Sequence, residues 1–335
     1  MRVPRSLAGI ALAAVLVLAG CGGTAPQAPA AAPAPGGAFP VTITHALGTI
    51  TIDKAPQRVV ALGYGDIAVA NALGAPIVGA TRNYVEPDPN LPYITTPLPA
   101  EALTLTAAIG RTDVERIAAY DPDLILATAT PQLVPDTYAA LSGIAPVVAY
   151  EKGLYTSSME DDARLIGKAL GKSEETEALI RGSAAAIDEL TAALPGLAGH
   201  TYLYGQARGE VLPMVVGREN LSTIFMGRLG LQVPEEFRNA EASAALAPGT
   251  VGLSYEEAGK LGSADVLFMT FATPDDRRVF EANPVVRSTR PVRGGTYAPV
   301  DLDTAIALQA PNVVAVKWLL GQLRPALEKV AATPA

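Results

Sequence analysis

The chain has 335 residues, in which 33 aspartates and glutamates outnumber 25 lysines and arginines for a formal net charge of −8. So acidic a surface argues against nucleic acid as a partner. One cysteine, Cys21, leaves no internal disulfide to be formed in any compartment.

Residues 1–20 read as an export signal: Arg2 and Arg5, an apolar run from Leu7 to Leu18, then small Ala19 and Gly20. The run falls short of the about 20 apolar residues that a membrane helix needs. Cleavage would remove both arginines and take the net charge from −8 to −10. Leu18-Ala19-Gly20-Cys21 resembles the bacterial lipobox, which implies that the Cys21 thiol carries diacylglycerol and becomes the new N-terminus. Two acyl chains are what stable anchoring requires. Residues 21–40, rich in Ala, Pro and Gly and free of charge, read as an extended tether.

Thr42-Ile-Thr44 and Thr49-Ile-Thr-Ile52 then alternate as a small hairpin. Strand and helix follow in turn. Val59 to Leu62 reads as a buried strand, Asp66 to Leu73 as a helix stopped by Gly74, and Ile77 to Ala80 as a second strand. Val114 to Tyr120 is helical up to the Asp121-Pro122 stop, and Leu124 to Thr128 is a strand; Thr137 to Leu141 and Val147 to Tyr150 repeat the pattern. Such alternation predicts a parallel sheet covered by helices. From Met159 to Leu194 the pattern is helix alone, broken at Gly171-Lys172-Ser173. The second piece has an acidic first turn (Glu174, Glu175, Glu177) and one apolar face (Ile180, Ala184, Ile187, Leu190). It would be roughly 30 Å long, enough to bridge two lobes. Alternation resumes with strands Thr201 to Tyr204 and Val211 to Val216, helix Leu221 to Leu229 ending at Gly230, and strand Val266 to Thr270. A last helical stretch places Trp318 in an apolar stripe, where it reads as core.

The halves echo each other. A short helix carrying Glu115 leads to Asp123, which opens Leu124 to Thr128; another carrying Glu256 leads to Asp265, which opens Val266 to Thr270. The repetition predicts two similarly built lobes.

Chemistry is sparse. Gly63-Tyr-Gly65-Asp-Ile-Ala68 fits the dinucleotide fingerprint in form, but the next strand ends at Thr81-Arg82 with no acidic residue for a ribose hydroxyl. A strand-to-helix turn lining a cleft is the better reading. There is no G-x-S-x-G, and His45 and His200 lie far apart, so neither hydrolysis nor a histidine metal site is indicated. The polar and aromatic residues at strand ends say more: Tyr64, Arg82, Tyr84, Thr128 and Tyr155 in the first half, Arg208, Arg218 and Phe271 in the second. Arginine pairs with anions and tyrosine stacks and hydrogen-bonds, and strand-end loops are favoured ligand positions. The arginines from Arg277 to Arg293, interleaved with Glu281 and preceded by Asp275 and Asp276, read as a charged face.

Thr42-Ile-Thr-His-Ala-Leu-Gly-Thr49, Pro56-Gln-Arg-Val-Val-Ala61, Glu115-Arg-Ile with Pro122-Asp-Leu-Ile125, Leu141-Ser-Gly-Ile-Ala-Pro146, Gly230-Leu and Asn283-Pro occur in an order and spacing that resemble the iron-siderophore solute-binding lipoproteins of ABC importers. That class also contains cobalamin and haem binders. The resemblance implies an α/β fold of two Rossmann-like lobes with mostly parallel sheets, joined by one long helix and enclosing a ligand cleft. The corresponding divisions are an N-terminal lobe at 41–155, an interlobe helix at 156–194 and a C-terminal lobe at 195–335, with the family domain over about 57–332. It implies capture of a ferric siderophore and delivery to a permease, with no bond made or broken, no resident metal or cofactor, and a separate ATPase. Glu115 and Glu256 match the two rim glutamates that meet permease arginines, though Glu257 lies beside the second. The expected protein is a monomer held by lipid on the outer face of the cytoplasmic membrane. A haem or cobalamin binder of the same fold, and a secreted enzyme using the cleft, are the alternatives.

Overall fold

The computed structural model describes residues 38–83, 88–106, 112–131 and 133–334. The export signal, Cys21 and most of the tether lie outside these residues, as does Tyr84.

A hairpin of β1 (Val41–His45) and β2 (Gly48–Ile52) leads into β3 (Val59–Ala61), α1 (Tyr64–Ala72), β4 (Ile77–Ala80), α2 (Val114–Ala119), β5 (Leu124–Ala127), α3 (Pro135–Ser142) and β6 (Val147–Ala149). These strands form a parallel sheet in the order β4-β3-β5-β6. Successive strand residues point to opposite faces, so Val59, Leu124, Leu126 and Val148 join one apolar core and Val60, Ile125, Val147 and Ala149 join another. Helices α2 and α3 cover the second face through Ile117 and Leu141. That double coverage explains why the strands are unbroken apolar runs. Each such buried side chain contributes about 1.5–3 kcal/mol. Helix α1 ends where expected, with Gly74 at φ +70°.

Two helices, α4 (Met159–Ala169) and α5 (Ser173–Ala193), connect this sheet to the next. The Ser158 hydroxyl caps α4 by accepting from the Asp161 N–H at 3.0 Å. Gly171, at φ +67°, turns the chain between them. The helices cross so closely that a Cβ on Gly167 would fall 1.9 Å from Thr176 Oγ1. On α5 the buried face is Thr176, Ile180, Ser183, Ile187 and Leu190. Ser183, whose hydroxyl donates to the Ile180 carbonyl, fills the place that periodicity gave to Ala184.

Beyond a 3-10 turn (Pro195–Leu197) come β7 (Tyr202–Ala207), β8 (Val211–Val215), α6 (Leu221–Arg228), α7 (Glu235–Arg238) and β9 (Thr250–Ser254). A 3-10 segment (Tyr255–Ser263), β10 (Val266–Phe271), α8 (Pro274–Ala282), α9 (Pro284–Ser288), α10 (Arg290–Gly294), β11 (Tyr297–Pro299), α11 (Leu302–Gln309) and α12 (Val316–Ala331) complete the chain. The strand order is β11-β10-β7-β8-β9, parallel as far as β7 and antiparallel beyond it. The reversal follows from Arg208-Gly-Glu-Val211, a tight turn with Gly209 at φ +58° and backbone hydrogen bonds between Arg208 and Val211. The two sheets are therefore alike only in their parallel parts.

There the echo has a physical basis. The Asp123 carboxylate accepts the N–H groups of Gln57 and Arg58 just ahead of β3, and that of Asp265 accepts the N–H and hydroxyl of Thr201 just ahead of β7. In both sheets the acid opening one strand pins the start of its neighbour. One apolar core runs without interruption from β3 and β5 through α1, α4 and α5 to β7, β10 and α12, within the compact unit Gly36–Ala335.

Candidate ligand-binding site

Open α/β sheets bind ligands beyond the carboxyl ends of their strands. At that end of the first sheet, β3 turns into α1 at Gly63, and the buried Asp66 carboxylate ties the turn down. Its Oδ2 accepts the Gly63 N–H at 2.8 Å, and its Oδ1 accepts the N–H (3.0 Å) and hydroxyl (2.7 Å) of Thr128 at the end of β5. Burial raises the Asp66 pKa to about 6, against the opposing pull of these donors. A Cβ on Gly63 would sit 2.5 Å from Asp66 Oδ2 and 3.1 Å from the Ala129 backbone. The glycine pattern thus serves a close-packed turn, and a carboxylate occupies the N–H that a pyrophosphate would need.

Tyr64 and Arg82 meet here, the Tyr64 hydroxyl donating to the Arg82 carbonyl at 3.2 Å. Thr128 stands beside them with its hydroxyl committed to Asp66. Tyr155, at φ +60°, accepts the Leu221 N–H at the start of α6 on its carbonyl, so it joins the first sheet's loops to the second half. A void of about 10 Å³ at this junction is lined by Gly65, Thr128, Asp162, Leu221 and Asn312. Asp162 Oδ1 is shut off from solvent and has no hydrogen-bond partner among the described residues. Burial, and then the charges of Asp66, Asp161 and Glu151, push its pKa well above the ordinary carboxylate value.

At the carboxyl end of the second sheet lies a cavity of about 230 Å³ whose lining includes Gln206, Arg208, Thr250, Thr270, Ile306 and Gln309. Helix α11 belongs to both walls. Asp303 in its first turn accepts from Asn83 Nδ2, just past β4, at 2.8 Å, while Ile306 and Gln309 line the cavity. Burial raises the Asp303 pKa, opposed by the Asn83 hydrogen bond. Next to this contact Tyr93 packs on Trp318, ring centroids 5.5 Å apart, so the tryptophan is half-buried packing.

Two expected residues stand apart from the cavity. Arg218 is exposed between β8 and α6 and is absent from its lining. Phe271 packs edge-on against Phe280 at 5.8 Å, with the Arg277 guanidinium 5.8 Å from its ring centroid. The arginine face is largely self-paired: Arg277 with Glu281, Arg278 with Asp275, and Arg290 with Asp265. Asp66, Gln206, Thr250, Thr270 and Gln309 were missed. Only Asp66 had a local signal, three residues after a glycine helix start, where a carboxylate can accept the cap N–H.

Both histidines are structural. His45 is buried edge-on to Tyr138, and burial lowers its pKa, opposed by a backbone contact at Val147. His200 is fully buried between Thr333 and Asp265. Among the described residues no group of three or more His, Cys, Asp or Glu could hold a metal ion.

The two glutamates expected to meet a permease differ from their neighbours. Glu115, at the second position of α2, and Glu256, at the second position of the 3-10 segment, are exposed and have no side-chain partner among the described residues. Glu257 is committed: its carboxylate accepts the Ser254 N–H at 3.2 Å and pairs with Lys260 at 2.7 Å.

The family model described as "Periplasmic binding protein" matches residues 59–249. The ferric-anguibactin-binding protein FatB of Vibrio anguillarum is 34% identical over 112 residues, 33% of this chain and 32% of that protein. The Fe(3+) dicitrate-binding periplasmic protein FecB of Escherichia coli is 29% identical over 209 residues, 61% of this chain and 65% of that protein. The chain thus aligns with about a third of the first relative and just under two thirds of the second. A crystal structure of a periplasmic solute binding protein from Mycobacterium smegmatis superposes with a TM-score of 0.72 at 28% identity, covering 87% of this chain and 99% of the other.

Proposed function

The chain belongs to the periplasmic binding protein family, and on that footing we propose that it captures a ferric siderophore and delivers it to the permease of an ABC importer. The observation that carries this reading is the convergence of both sheets' carboxyl ends on α11, which bonds to Asn83 on one side and lines the second-sheet cavity on the other. FatB and FecB, both named for binding ferric chelates, support iron as the cargo. The iron arrives already chelated and no bond is made or broken.

In this reading 41–155 and 195–335 are the lobes, 156–194 joins them, and Tyr64, Arg82, Thr128, Tyr155 and Arg208 frame the cleft. Tyr84 belongs to the same set but lies outside the described residues. Glu115 and Glu256 meet basic residues of the permease, and Glu256 is favoured over Glu257 because Glu257 already holds Ser254 and Lys260. Lipid on Cys21 and the tether hold a monomer beside the importer, at the outer face of the cytoplasmic membrane.

The test is a thermal shift of the mature chain against ferric siderophores, ferric citrate, haem and cobalamin. A ligand at 100 times its Kd adds about 2.7 kcal/mol of stability. Stabilisation by a ferric chelate is expected; stabilisation by haem or cobalamin alone would overturn the siderophore reading.

A further inference from the structure

The cavity beyond β7 and β10 has a lining with one charge in it. Arg208 is the single charged side chain among the described residues that line it, and no carboxylate is present. The remaining polar groups are neutral, and two of them are unmet: Thr250 Oγ1 and Gln309 Nε2 are shut off from solvent without a hydrogen-bond partner among the described residues. The Tyr204 hydroxyl, by contrast, already donates to the Ala305 carbonyl at 2.7 Å. Leu246, Leu302 and Ile306 supply apolar wall. Buried donors without partners cost stability, and a ligand oxygen that accepts from them recovers it.

Building on the capture reading above, we propose that this cavity selects an uncharged ferric chelate of the hydroxamate class over a tris-catecholate. Three hydroxamates, each carrying one negative charge, neutralise ferric iron while leaving oxygens that accept hydrogen bonds. Three catecholates, each carrying two, leave a complex of charge three minus. Arg208 in the cavity and Arg82 across the cleft carry two positive charges between them, short of the three minus of that complex, and an uncompensated charge is costly to desolvate. Amide and hydroxyl donors against an apolar wall suit the neutral complex: rotation of the Gln309 amide and of the Thr250 side chain toward the cavity lets Nε2 and Oγ1 donate to its oxygens, and Leu302 and Ile306 cover its hydrocarbon.

The experiment is titration of the mature chain, at pH 7.5 and fixed ionic strength, with ferrichrome as the neutral tris-hydroxamate and ferric enterobactin as the tris-catecholate. Ferric citrate and haem are titrated alongside. Ferrichrome is expected to bind at least about tenfold more tightly than the catecholate. Gln309→Leu and Thr250→Val are expected to weaken its binding about threefold to tenfold each. Equal or tighter binding of the catecholate overturns the inference while capture of a ferric siderophore stands. So does unchanged ferrichrome affinity in both variants with wild-type far-UV circular dichroism. If no ferric chelate binds and haem does, the capture reading falls and this inference falls with it. The rank order of ligands on the unmutated chain decides the matter even where a variant fails to fold.

Discussion

Asp66 makes the cleft's first wall sensitive to pH in a direction opposite to that of most carboxylates. Burial raises its pKa from the ordinary 3.8 to about 6, so the folded state takes up a proton before the unfolded state does. Stability from this group is therefore fully present below pH 3.8 and is lost as pH rises through 6. A difference of about two pKa units corresponds to about 3 kcal/mol. Asp66→Asn removes the titration. At every pH it also sets an amide nitrogen against either the Gly63 or the Thr128 N–H, at a cost of about 1–3 kcal/mol that does not vary with pH. Urea unfolding of both proteins at pH 7.5, 5.5 and 4 separates the two effects. Wild type minus Asp66→Asn is expected to rise by about 2.4 kcal/mol on going from pH 7.5 to 4, most of it between pH 6 and 4. The pKa of Asp162 is raised by burial and in part by the charge of Asp66, so Asp66→Asn lessens its shift as well, and that change has the same sign as the one expected for Asp66. Parallel pH curves for the two proteins would refute the assignment of a buried, ionised Asp66.

Other expectations concern different parts of the molecule. Glu256→Ala should abolish or sharply reduce iron uptake in cells while leaving Tm and ligand affinity unchanged; Glu257→Ala should lower Tm with uptake kept, and the reverse pattern would move the docking contact to Glu257. Leu126→Ala, at a fully buried position in β5, should cost about 2–5 kcal/mol in chemical denaturation, and a smaller loss would mean that the site collapses around the deletion. Asn83→Asp places a carboxylate 2.8 Å from Asp303, so ligand affinity should fall at pH 7.5 and partly recover at pH 5; a loss equal at both values would rule out charge repulsion as its cause. Cys21→Ala should shift the protein from the membrane to the soluble fraction of the cell envelope.

The parallel strands were legible because they are covered on both faces: Val59 to Ala61 and Leu124 to Ala127 read as apolar runs with no other plausible place. Helix ends at Gly74 and Gly230 were legible too, since both glycines take positive φ. The antiparallel half of the second sheet was not read, although Arg208-Gly-Glu between two extended pieces is a hairpin signal. Helices α8, α9 and α10 lie in the stretch whose arginines read as a charged face. Each nevertheless has Pro at its first turn, after Thr273, Asn283 and Thr289 respectively. Of the candidate site, strand position brought out Tyr64, Arg82, Thr128 and Arg208. Thr250 and Gln309 carry no local mark, because the cavity that gives them meaning is made by packing α11 against β7 and β10.

The uninterrupted core that passes from β5 through α5 to β10 also bears on timing. Two halves sharing apolar contacts cannot part widely without exposing them to water, so excursions of the free protein are small tilts and its unfolding should appear as one transition rather than two. On the capture reading proposed above, cargo would leave at a rate set by its contacts around α11. Faster release would need an outside force applied to both rims together, making unloading a property of the importer and retention a property of this chain.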